Sequence, residues 1–397
     1  MTTTTTALEQ AKQLEQEIIE LRRHLHEQPE LSFHEHKTAD LAAEKLTGLG
    51  YTVKRQVGKT GLFGDIGQGT CVAIRADMDA LPIQETNEKS YRSKNEGVMH
   101  ACGHDAHVSC ALAAAKILAG NARDLKGGIR MLLQPAEEFG DDEGKSGACR
   151  MLEDGVLEGV SAIIGLHMDA TVPAGQVGIM DGPVMAAADG FTITIRGKGG
   201  HGAYPESTID AVVLGAQVVQ AIQQIVSRRV SALEPAIVTI GSFHSSSLRG
   251  NIISEEVVLE GTFRTFNKDV RKKIMEELDR ACSIARILGG DYHIHYEMGY
   301  PTTVNDANIT RVMREVAIEL IGEKNVLEIP KKTWSEDFSM FAEVVPGAFM
   351  FLGGEVKGDR RSHHSATFDI EESGLYIGTA ILSETAKRLI PYLESRK

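Results

Sequence analysis

The stretch Ile129-Arg-Met-Leu-Leu133 is a short apolar run that leads into the segment Gln134-Pro-Ala-Glu-Glu138. Comparable runs occupy residues 72–75 and 162–166, and a helical pattern covers residues 108–118. Alternation of apolar runs with helical patterns is typical of βαβ units. Runs without a polar face indicate strands that are buried on both sides. The sequence therefore predicts an α/β fold with a mainly parallel sheet flanked by helices.

Helical periodicity is clearest towards the two ends of the chain. Residues 8–27 carry apolar side chains at spacings of three and four, which predicts one amphipathic helix that ends before Pro29. A second helix is predicted at residues 36–49. Near the other end, the pattern predicts a strand at residues 348–352 and a last helix at residues 374–393.

The middle of the chain has a different pattern. Residues 191–196 alternate like a half-exposed strand, and a helical segment follows at residues 209–226. The next predicted elements are strands at 236–243 and 257–266, a helix at 270–288 and a strand at 292–297. This order indicates a separate α+β domain inserted into the first. We expect a first domain built from residues 1–186 and 301–397, with the inserted domain at residues 187–300.

Composition narrows the class of protein. The 397 residues include 42 Lys+Arg and 55 Asp+Glu, which gives a net charge of −13. An acidic chain without a basic stripe argues against nucleic acid as a partner, so small molecules are the expected partners. Five cysteines are too few for a disulfide framework, which indicates a reducing, cytoplasmic location.

The apolar segments argue against a membrane protein. Met1 is followed by five threonines, which we expect to form a polar tail and which do not resemble a secretory signal. The apolar stretches fall short of the ~18 residues that a membrane-spanning helix requires. We therefore expect no membrane association.

The segment Met99-His-Ala-Cys-Gly-His-Asp-Ala-His107 gathers thiol, imidazole and carboxylate groups at the start of an Ala-rich helix. Cysteine and histidine are good ligands for first-row metals, and a carboxylate commonly holds a ligating histidine through its second ring nitrogen. The alternative is a set of polar capping residues with a buried cysteine. The concentration of ligand types favours a metal site.

Glu137 and Glu138 directly follow the strand predicted at residues 129–133. Ligands collect at the carboxyl ends of parallel strands. A hydrolytic metal site needs both metal ligands and a proton acceptor for its water, so one glutamate could bind metal while the other acts as general base. A solvated Glu-Glu pair in a loop is the alternative interpretation.

Two further segments offer histidines. His167 follows the run at residues 162–166, although a lone histidine after a strand is more often structural. His363 and His364 are adjacent, so their side chains point in different directions and at most one should bind metal. Since several independent segments supply ligand-type residues, the interpretations reinforce one another.

Carboxylates also follow the strand predicted at residues 72–75, in the segment Asp77-Met-Asp79. They could bind metal themselves or hold a ligand histidine in one tautomer, and we favour the second role. Asp79 and Asp105 are the residues that we expect to support the ligands in this way.

Together these segments resemble the metal-dependent aminoacylase and hippurate-hydrolase family. These amidohydrolases are related to carboxypeptidases and include bacterial N-acetyl-diaminopimelate deacetylases and plant auxin-conjugate hydrolases. The resemblance covers nearly the whole chain. Its motifs are Leu21-Arg-Arg-His-Leu-His26, Pro29-Glu30, Arg75-Ala-Asp-Met-Asp-Ala-Leu-Pro82, His100-Ala-Cys-Gly-His-Asp-Ala-His107, Gln134-Pro-Ala-Glu-Glu138, Gly165-Leu-His167, Gly199-Gly-His-Gly-Ala-Tyr-Pro205, Ser335-Glu-Asp-Phe338 and His364-Ser365.

The resemblance implies a catalytic domain like that of zinc exopeptidases, with two divalent metal ions and Glu137 as general base. The implied metal ligands are Cys102, His104, Glu138, His167 and His364. Cys102 stands where many wider relatives have a carboxylate, and a thiolate makes the site softer. Zinc or manganese is the expected ion, with cobalt or nickel as alternatives.

The resemblance also implies that the inserted domain is a lid and dimerisation domain. His201 would stabilise the tetrahedral oxyanion, commonly in the partner subunit's site. Asn251 and Arg264 would hold the substrate carboxylate, because an arginine fork can bond both of its oxygens. A homodimer or homotetramer is expected.

The implied reaction is hydrolysis of the amide bond of an N-acyl-L-amino acid by a metal-activated water. A dipeptidase or carboxypeptidase using the same site is the nearest alternative. A binding protein without catalysis is disfavoured because all the residues needed for chemistry are present, including the pair Glu137 and Glu138. A metal-storage or structural dimer would leave Arg264 and His201 without a purpose.

Overall fold

A computed structural model describes residues 6–359 and 361–396; most of the threonine tail, residues 1–5, lies outside the described residues. The chain divides into two compact units. The first unit contains the residues up to Gly182, Val304–Pro330 and the residues from Met340 onward. The second unit contains Pro183–Thr303 and Lys331–Ser339.

The helices of the described chain are α1 Ala7–Gln13, α2 Glu15–Glu27, α3 His36–Gly48, α4 His104–Gly120, α5 Gly147–Glu153, α6 Ala211–Gln224, α7 Lys268–Ile287, α8 Ala307–Ile321, α9 Phe338–Ala342 and α10 Leu375–Glu394. The strands are β1 Thr52–Val57, β2 Gly61–Gly67, β3 Cys71–Asp77, β4 Gly128–Gln134, β5 Val160–Pro173, β6 Val177–Gly178, β7 Gly182–Met185, β8 Ala187–Arg196, β9 Gly200–His201, β10 Ala236–Ser245, β11 Ile252–Ile253, β12 Glu256–Thr265, β13 Asp291–Glu297, β14 Thr303–Asn305, β15 Val326–Leu327 and β16 Gly347–Glu355.

The main sheet of the first unit has the strand order β1-β2-β4-β3-β5-β16-β6-β15. Its centre, β4-β3-β5-β16, is parallel. Every residue from Val72 to Asp77 is buried, so helices cover both faces of β3. Helices α4 and α10 pack against β3 and β5, α3 against β1 and β2, and α8 against β16. The predicted α/β fold with a mainly parallel, helix-flanked sheet is confirmed.

On both sides of this parallel centre the sheet contains antiparallel pairs, which the sequence did not predict. Strands β1 and β2 form a hairpin that pairs with β4, and β6 pairs antiparallel with β16. Strand β1 is largely exposed and carries Lys54 and Arg55, while β6 is only two residues long. Charged or very short edge strands lack the apolar run by which buried strands are recognised.

The predicted helix at residues 8–27 is interrupted. Helix α1 ends and α2 begins around Leu14, whose φ of −94° and ψ of 0° depart from helical geometry. The apolar stripe continues through Leu14 into Ile18 and Leu25, which pack into the same core. Periodicity therefore does not reveal the break, since both helices bury the same face.

The second unit is an antiparallel sheet with the strand order β10-β12-β8-β13, and α6 and α7 pack on it. Its elements follow the predicted order of strand, helix, two strands, helix and strand. The apolar side chains of β8 and β12 alternate with more exposed ones, and they form a separate core with α6 and α7. Strands β9 and β11 form a small additional sheet.

Candidate metal centre

The start of α4 positions Cys102 and His104. Between them, Gly103 has φ 98°, in the left-handed region that favours glycine, and a Cβ there would lie 3.0 Å from the Cβ of Met168. This tight turn directs the thiol of Cys102 towards β5, where its Sγ lies 3.5 Å from His167 Nε2. All three candidate ligands are buried.

His104 is held in one orientation by Asp79. Its Nδ1 lies 2.9 Å from the carbonyl oxygen of Asp79 and 3.3 Å from the carboxylate. With Nδ1 occupied as donor, Nε2 is the atom available as a metal ligand. Asp105 is arranged differently: its carboxylate accepts bonds from Arg22 Nε at 2.8 Å and His26 Nδ1 at 2.7 Å. Asp105 therefore anchors α4 to α2.

Glu137 and Glu138 lie in the turn after β4. The preceding residue, Ala136, has φ 47°, a conformation that costs a non-glycine residue about 1 kcal/mol or more. Gly147 lies against this turn so closely that a Cβ would meet the carbonyl oxygen of Pro135 at 1.7 Å. This strained turn places two successive carboxylates at the carboxyl end of β4. The first of them, Glu137, is buried.

His167 is in the middle of β5, not at its end, because the strand continues to Pro173. Its Nδ1 donates to the carbonyl oxygen of Met168 at 2.6 Å, which leaves Nε2 facing Cys102. Burial and the nearby His107 hold the pKa of His167 well below its usual range. The ring is therefore neutral, as a metal ligand requires.

His364 reaches the same region from a loop. It has φ 58°, and its amide donates to the carbonyl oxygen of Ala101 at 2.8 Å. Its Nε2 lies 3.2 Å from Glu138 Oε1, while half of the side chain is exposed. The neighbouring His363 points elsewhere, because its Nε2 accepts the amide of Ala170 at 3.2 Å.

The side chains fit a metal site with two ions. Three groups of donor atoms each lie within 4.8 Å of one another: Cys102, His104 and His167; Cys102, Glu138 and His364; and His104, Glu137 and Glu138. Among the described residues, His104 Nε2 and Glu138 Oε1 are buried and make no hydrogen bond, although His364 Nε2 lies 3.2 Å from the glutamate oxygen. Buried polar atoms without partners are rare, and the convergence of two such atoms 3.9 Å apart suits a shared cation.

The charge of this region also favours a cation. Burial favours the neutral form of His104, but the carboxylates of Asp77, Asp79 and Glu138 outweigh it and raise the pKa to about 10. Burial alone would raise the pKa values of Asp77 and Asp79, but Arg75 and His104 beside Asp77, and His104 beside Asp79, hold both values below their usual range. Ionised carboxylates in a buried cluster require compensating positive charge.

A supporting contact that sequence reasoning missed runs through His107. His107 Nδ1 donates to Asp77 Oδ1 at 2.6 Å, and its Nε2 accepts the amide of Met168 at 2.8 Å. Arg75 donates to the other oxygen of Asp77 at 2.9 Å. The carbonyl oxygen of Met168 accepts the Nδ1 proton of His167, so His107 holds the amide of the residue whose carbonyl orients a candidate ligand. The spacing of His107, three residues after His104 on one helix, was the available signal.

The second unit carries the other predicted residues. His201 pairs with Ile252 across β9 and β11, and the amide of Gly202 donates to the carbonyl oxygen of Asn251 at 2.8 Å. His201 and Asn251 are therefore neighbours, and both are exposed. Arg264 lies instead on β12, half-buried, where burial lowers its pKa.

Comparison with known proteins identifies the family. The sequence profile of Peptidase family M20/M25/M40 matches residues 73–388. The chain belongs to this family. The N-acetyl-L-cysteine deacetylase of Bacillus subtilis is 40% identical over 388 residues, covering 97% of this chain and 91% of the relative. The thermostable carboxypeptidase 2 of Saccharolobus solfataricus is 39% identical over 375 residues, covering 92% of this chain and 94% of the relative.

A solved structure of the M20 family supports the metal centre. The crystal structure of a Bacillus subtilis protein described as a dinuclear metal-binding peptidase from the M20 family has a TM-score of 0.84 and 32% identity. It covers 96% of this chain and 99% of that one. The resemblance inferred from the motifs is confirmed, and this M20 protein is a metal-dependent hydrolase. In the described part of the chain, no helix combines the length and apolar character needed to cross a membrane.

Proposed function

We propose that this M20 protein hydrolyses the amide bond of N-acyl-L-amino acids to a carboxylic acid and a free amino acid. The observation that carries the proposal is the grouping of a buried carboxylate, Glu137, with the candidate ligands His104 and Glu138. A proton acceptor beside a metal site is what hydrolysis of an amide by water needs. The related N-acetyl-L-cysteine deacetylase supports an acyl-amino acid as substrate.

The proposed ligands of two divalent ions are Cys102, His104, Glu138, His167 and His364. When bound, such ions lower the pKa of a water molecule and supply positive charge to a carbonyl oxygen. A site with one thiolate, three imidazoles and a carboxylate is compatible with zinc, which is our first expectation together with manganese. Cobalt and nickel are the alternatives for the same donors.

Glu137 is proposed to move the proton. It takes a proton from the attacking water, holds it while the tetrahedral intermediate forms, and gives it to the nitrogen of the leaving amine. Its buried position supports this role, because a shielded carboxyl group can keep the proton between the two steps. Asp79 supports both glutamates by accepting their amides at 3.1 and 3.0 Å.

Residues of the second unit are proposed to bind the substrate. The amide of Ala203 donates to His201 Nδ1 at 3.0 Å, which places the proton of the neutral ring on Nε2. In this tautomer His201 can donate to a developing oxyanion. Asn251 and Arg264 are proposed to hold the substrate carboxylate.

We also propose that the protein forms a homodimer, or a homotetramer built from dimers, through the second unit. Exposed apolar side chains on α6 and β10 support this surface: Val212, Val213, Ile237 and Phe243. Among the described strands, β10 pairs only with β12, so its outer edge is available for pairing. The five cysteines are not joined in disulfides within the described residues, which supports a cytoplasmic location.

A carboxypeptidase or dipeptidase is the second candidate. It is supported by the relative from Saccharolobus solfataricus, which is named a thermostable carboxypeptidase. The same base and ions would cleave a peptide bond next to a free carboxylate. The two candidates differ in what occupies the acyl side of the scissile bond: an acyl group or an aminoacyl residue.

The test is release of free amino acid from N-acetyl, N-benzoyl and longer N-acyl-L-amino acids and from dipeptides. Metal-stripped protein is resupplied separately with zinc, manganese, cobalt or nickel. We expect cleavage of the acyl-amino acids that depends on the added ion. Cleavage of dipeptides alone would establish the second candidate, and bound metal without any turnover would contradict both.

A further inference from the structure

The turn that carries Glu137 and Glu138 is held by two buried carboxylates. Ala136, just before the pair, donates its amide to Glu35 Oε1 at 2.8 Å. The amides of Glu137 and Glu138 donate to the two oxygens of Asp79. Three consecutive amides are therefore fixed by carboxylates from distant segments. Of these three residues, Ala136 has the left-handed backbone, and its amide is bound by Glu35.

Glu35 is itself rigidly placed. Its side chain is fully buried. Besides Ala136, Oε1 accepts the amide of Phe33 at 2.9 Å, and Oε2 accepts the hydroxyl of Thr60. A carboxylate that accepts three hydrogen bonds in a buried site has one available orientation. It can therefore act as a fixed anchor for the amide of Ala136.

The loop that carries Glu35 also supports the second carboxylate. Ser32 Oγ donates to Asp79 Oδ2 at 2.6 Å, the oxygen that accepts the amide of Glu138. The same loop thus contains one anchor of the turn, Glu35, and contacts the other, Asp79. Phe33, which lies between Ser32 and Glu35 in the sequence, also has a left-handed backbone with φ 61°. Two strained segments are joined through Glu35.

We propose that Glu35 is a positioning residue for Glu137 and Glu138, which acts by keeping Ala136 in its left-handed conformation. An alanine without this bond returns to the ordinary regions of backbone space, and the following peptide rotates. Both glutamates then point away from their shared site. The inference rests on the proposed function for the roles of Glu137 and Glu138 and adds a residue to which that function assigns no part.

The first test compares Glu35→Ala with Glu35→Gln in the full chain. The glutamine carbonyl can still accept the amides of Ala136 and Phe33, and its NH₂ group can donate to Thr60. We expect Glu35→Ala to lower both zinc affinity and kcat by about 10- to 100-fold, the range typical of groups that orient metal ligands. Glu35→Gln should stay within about threefold of the wild type in both quantities because the bond to Ala136 is kept.

Zinc affinity is measured on metal-stripped protein by competition with a chromophoric chelator, and kcat at saturating zinc and substrate. Because the affinity measurement needs no substrate, it tests the positioning role even if the proposed reaction is wrong. An effect on kcat with little change in KM would agree with displacement of the base rather than of the substrate contacts.

A second-site variant tests the mechanism itself. Glycine adopts positive φ without strain, so Ala136→Gly should recover part of the zinc affinity lost in Glu35→Ala. A general loss of stability in Glu35→Ala would not be repaired by a glycine, which makes the unfolded chain more flexible. Failure of Ala136→Gly to recover any affinity in the Glu35→Ala background would count against the proposed mechanism.

Glu30→Ala is the matched control. Glu30 lies in the same loop, and its carboxylate accepts the amides of Lys37 and Thr38 at the start of α3. It makes a comparable set of bonds but none to the turn, so zinc affinity and kcat should remain at wild-type values. Equal losses in Glu30→Ala and Glu35→Ala would overturn the proposal, as would wild-type values in Glu35→Ala.

If Glu35→Ala does not fold, Glu35→Asp decides instead. This change keeps the charge but withdraws the carboxylate by one methylene from the amide of Ala136. We expect zinc affinity to fall by about 10-fold or more in Glu35→Asp. Wild-type affinity in this folded variant would overturn the proposal.

Discussion

The two units hold their candidate functional residues in different ways. In the first unit, Cys102, His104 and His167 are buried, and their donor atoms lie within 4.8 Å of one another. In the second unit, His201 and Asn251 are exposed and are supported mainly by a two-residue strand pair. The first group of side chains lies in the protein interior, whereas the second lies at the surface.

From this difference we expect the two units to have different roles, one in metal binding and chemistry and the other in substrate binding. Burying several carboxylates and imidazoles together is unfavourable unless a cation and fixed hydrogen bonds compensate. Substitutions in the first unit should therefore change metal binding or the chemical step. Substitutions in the second unit should change the handling of substrate or oxyanion and leave metal binding intact.

The largest effect is expected for Glu137→Gln. Loss of the general base should lower kcat by about 10³-fold or more, near the upper part of the range for general base catalysis. Two bound metal ions should remain, because Glu138 keeps its carboxylate. Turnover and metal content by elemental analysis check this, with the exposed Glu44→Gln as control. Full activity in Glu137→Gln would refute its role.

The next largest effect is expected for His201→Asn in the second unit. If His201 has its proposed role, removing this oxyanion donor should lower kcat by about 10²- to 10³-fold. Zinc affinity should not change, which is the outcome that separates the two units. His293→Asn is the control, since His293 is also exposed in the second unit. A loss of zinc affinity in His201→Asn would break the comparison.

Stability should depend on pH through the buried Glu35. Burial, with a contribution from Asp79, raises the pKa of Glu35 from 4.5 to about 7. The folded state therefore binds a proton that the unfolded state releases, so this group makes stability fall as pH rises from 4.5 to 7. Over that window the loss is about 3 kcal/mol, and Glu35→Gln should remove it. Denaturant unfolding of metal-free protein at several pH values checks this; parallel curves for the two proteins would contradict it.

The sequence was sufficient for the parts of the fold that bury apolar runs. Strands β3, β4 and β5 and helices α6 and α7 are long and strongly patterned, and each was predicted. The edge hairpin β1-β2 and the break at Leu14 were not. The hairpin carries exposed charged residues, and the break leaves the apolar stripe in phase, so neither changes the pattern on which the prediction depends.

For the candidate site, the sequence supplied residue types but not their contacts. The motifs named Cys102, His104, Glu138, His167 and His364, and the structure brings these side chains together. Which polar neighbour supports which ligand depends on tertiary contacts between distant segments. Asp105 was expected to support a ligand and faces Arg22 instead, while His107 and Glu35 were not assigned a role.

A substitution of His107 tests a residue of the first unit that supports a proposed metal ligand without being one itself. His107→Phe keeps a ring of similar shape but removes the bonds to Asp77 and to the amide of Met168. Zinc affinity should fall by about 10- to 100-fold, because Met168, whose carbonyl oxygen orients His167, loses the bond that holds its amide. His100→Phe is a matched control: His100 is equally buried, but neither of its ring nitrogens has a hydrogen-bond partner in the part of the chain that the structure describes. Equal effects of the two substitutions would show that only packing matters.

Arg264→Lys should give the smallest effect and tests a partly buried residue of the second unit. Lysine keeps the positive charge but cannot bond both oxygens of a carboxylate in parallel, so KM should rise by about 10-fold with little change in kcat. Zinc affinity should be unchanged. Arg196→Lys, on β8 of the same sheet and exposed, should leave KM unaltered. A fall in kcat without a change in KM would mean that Arg264 does not hold the substrate carboxylate, and the division between the units would then rest on His201 alone.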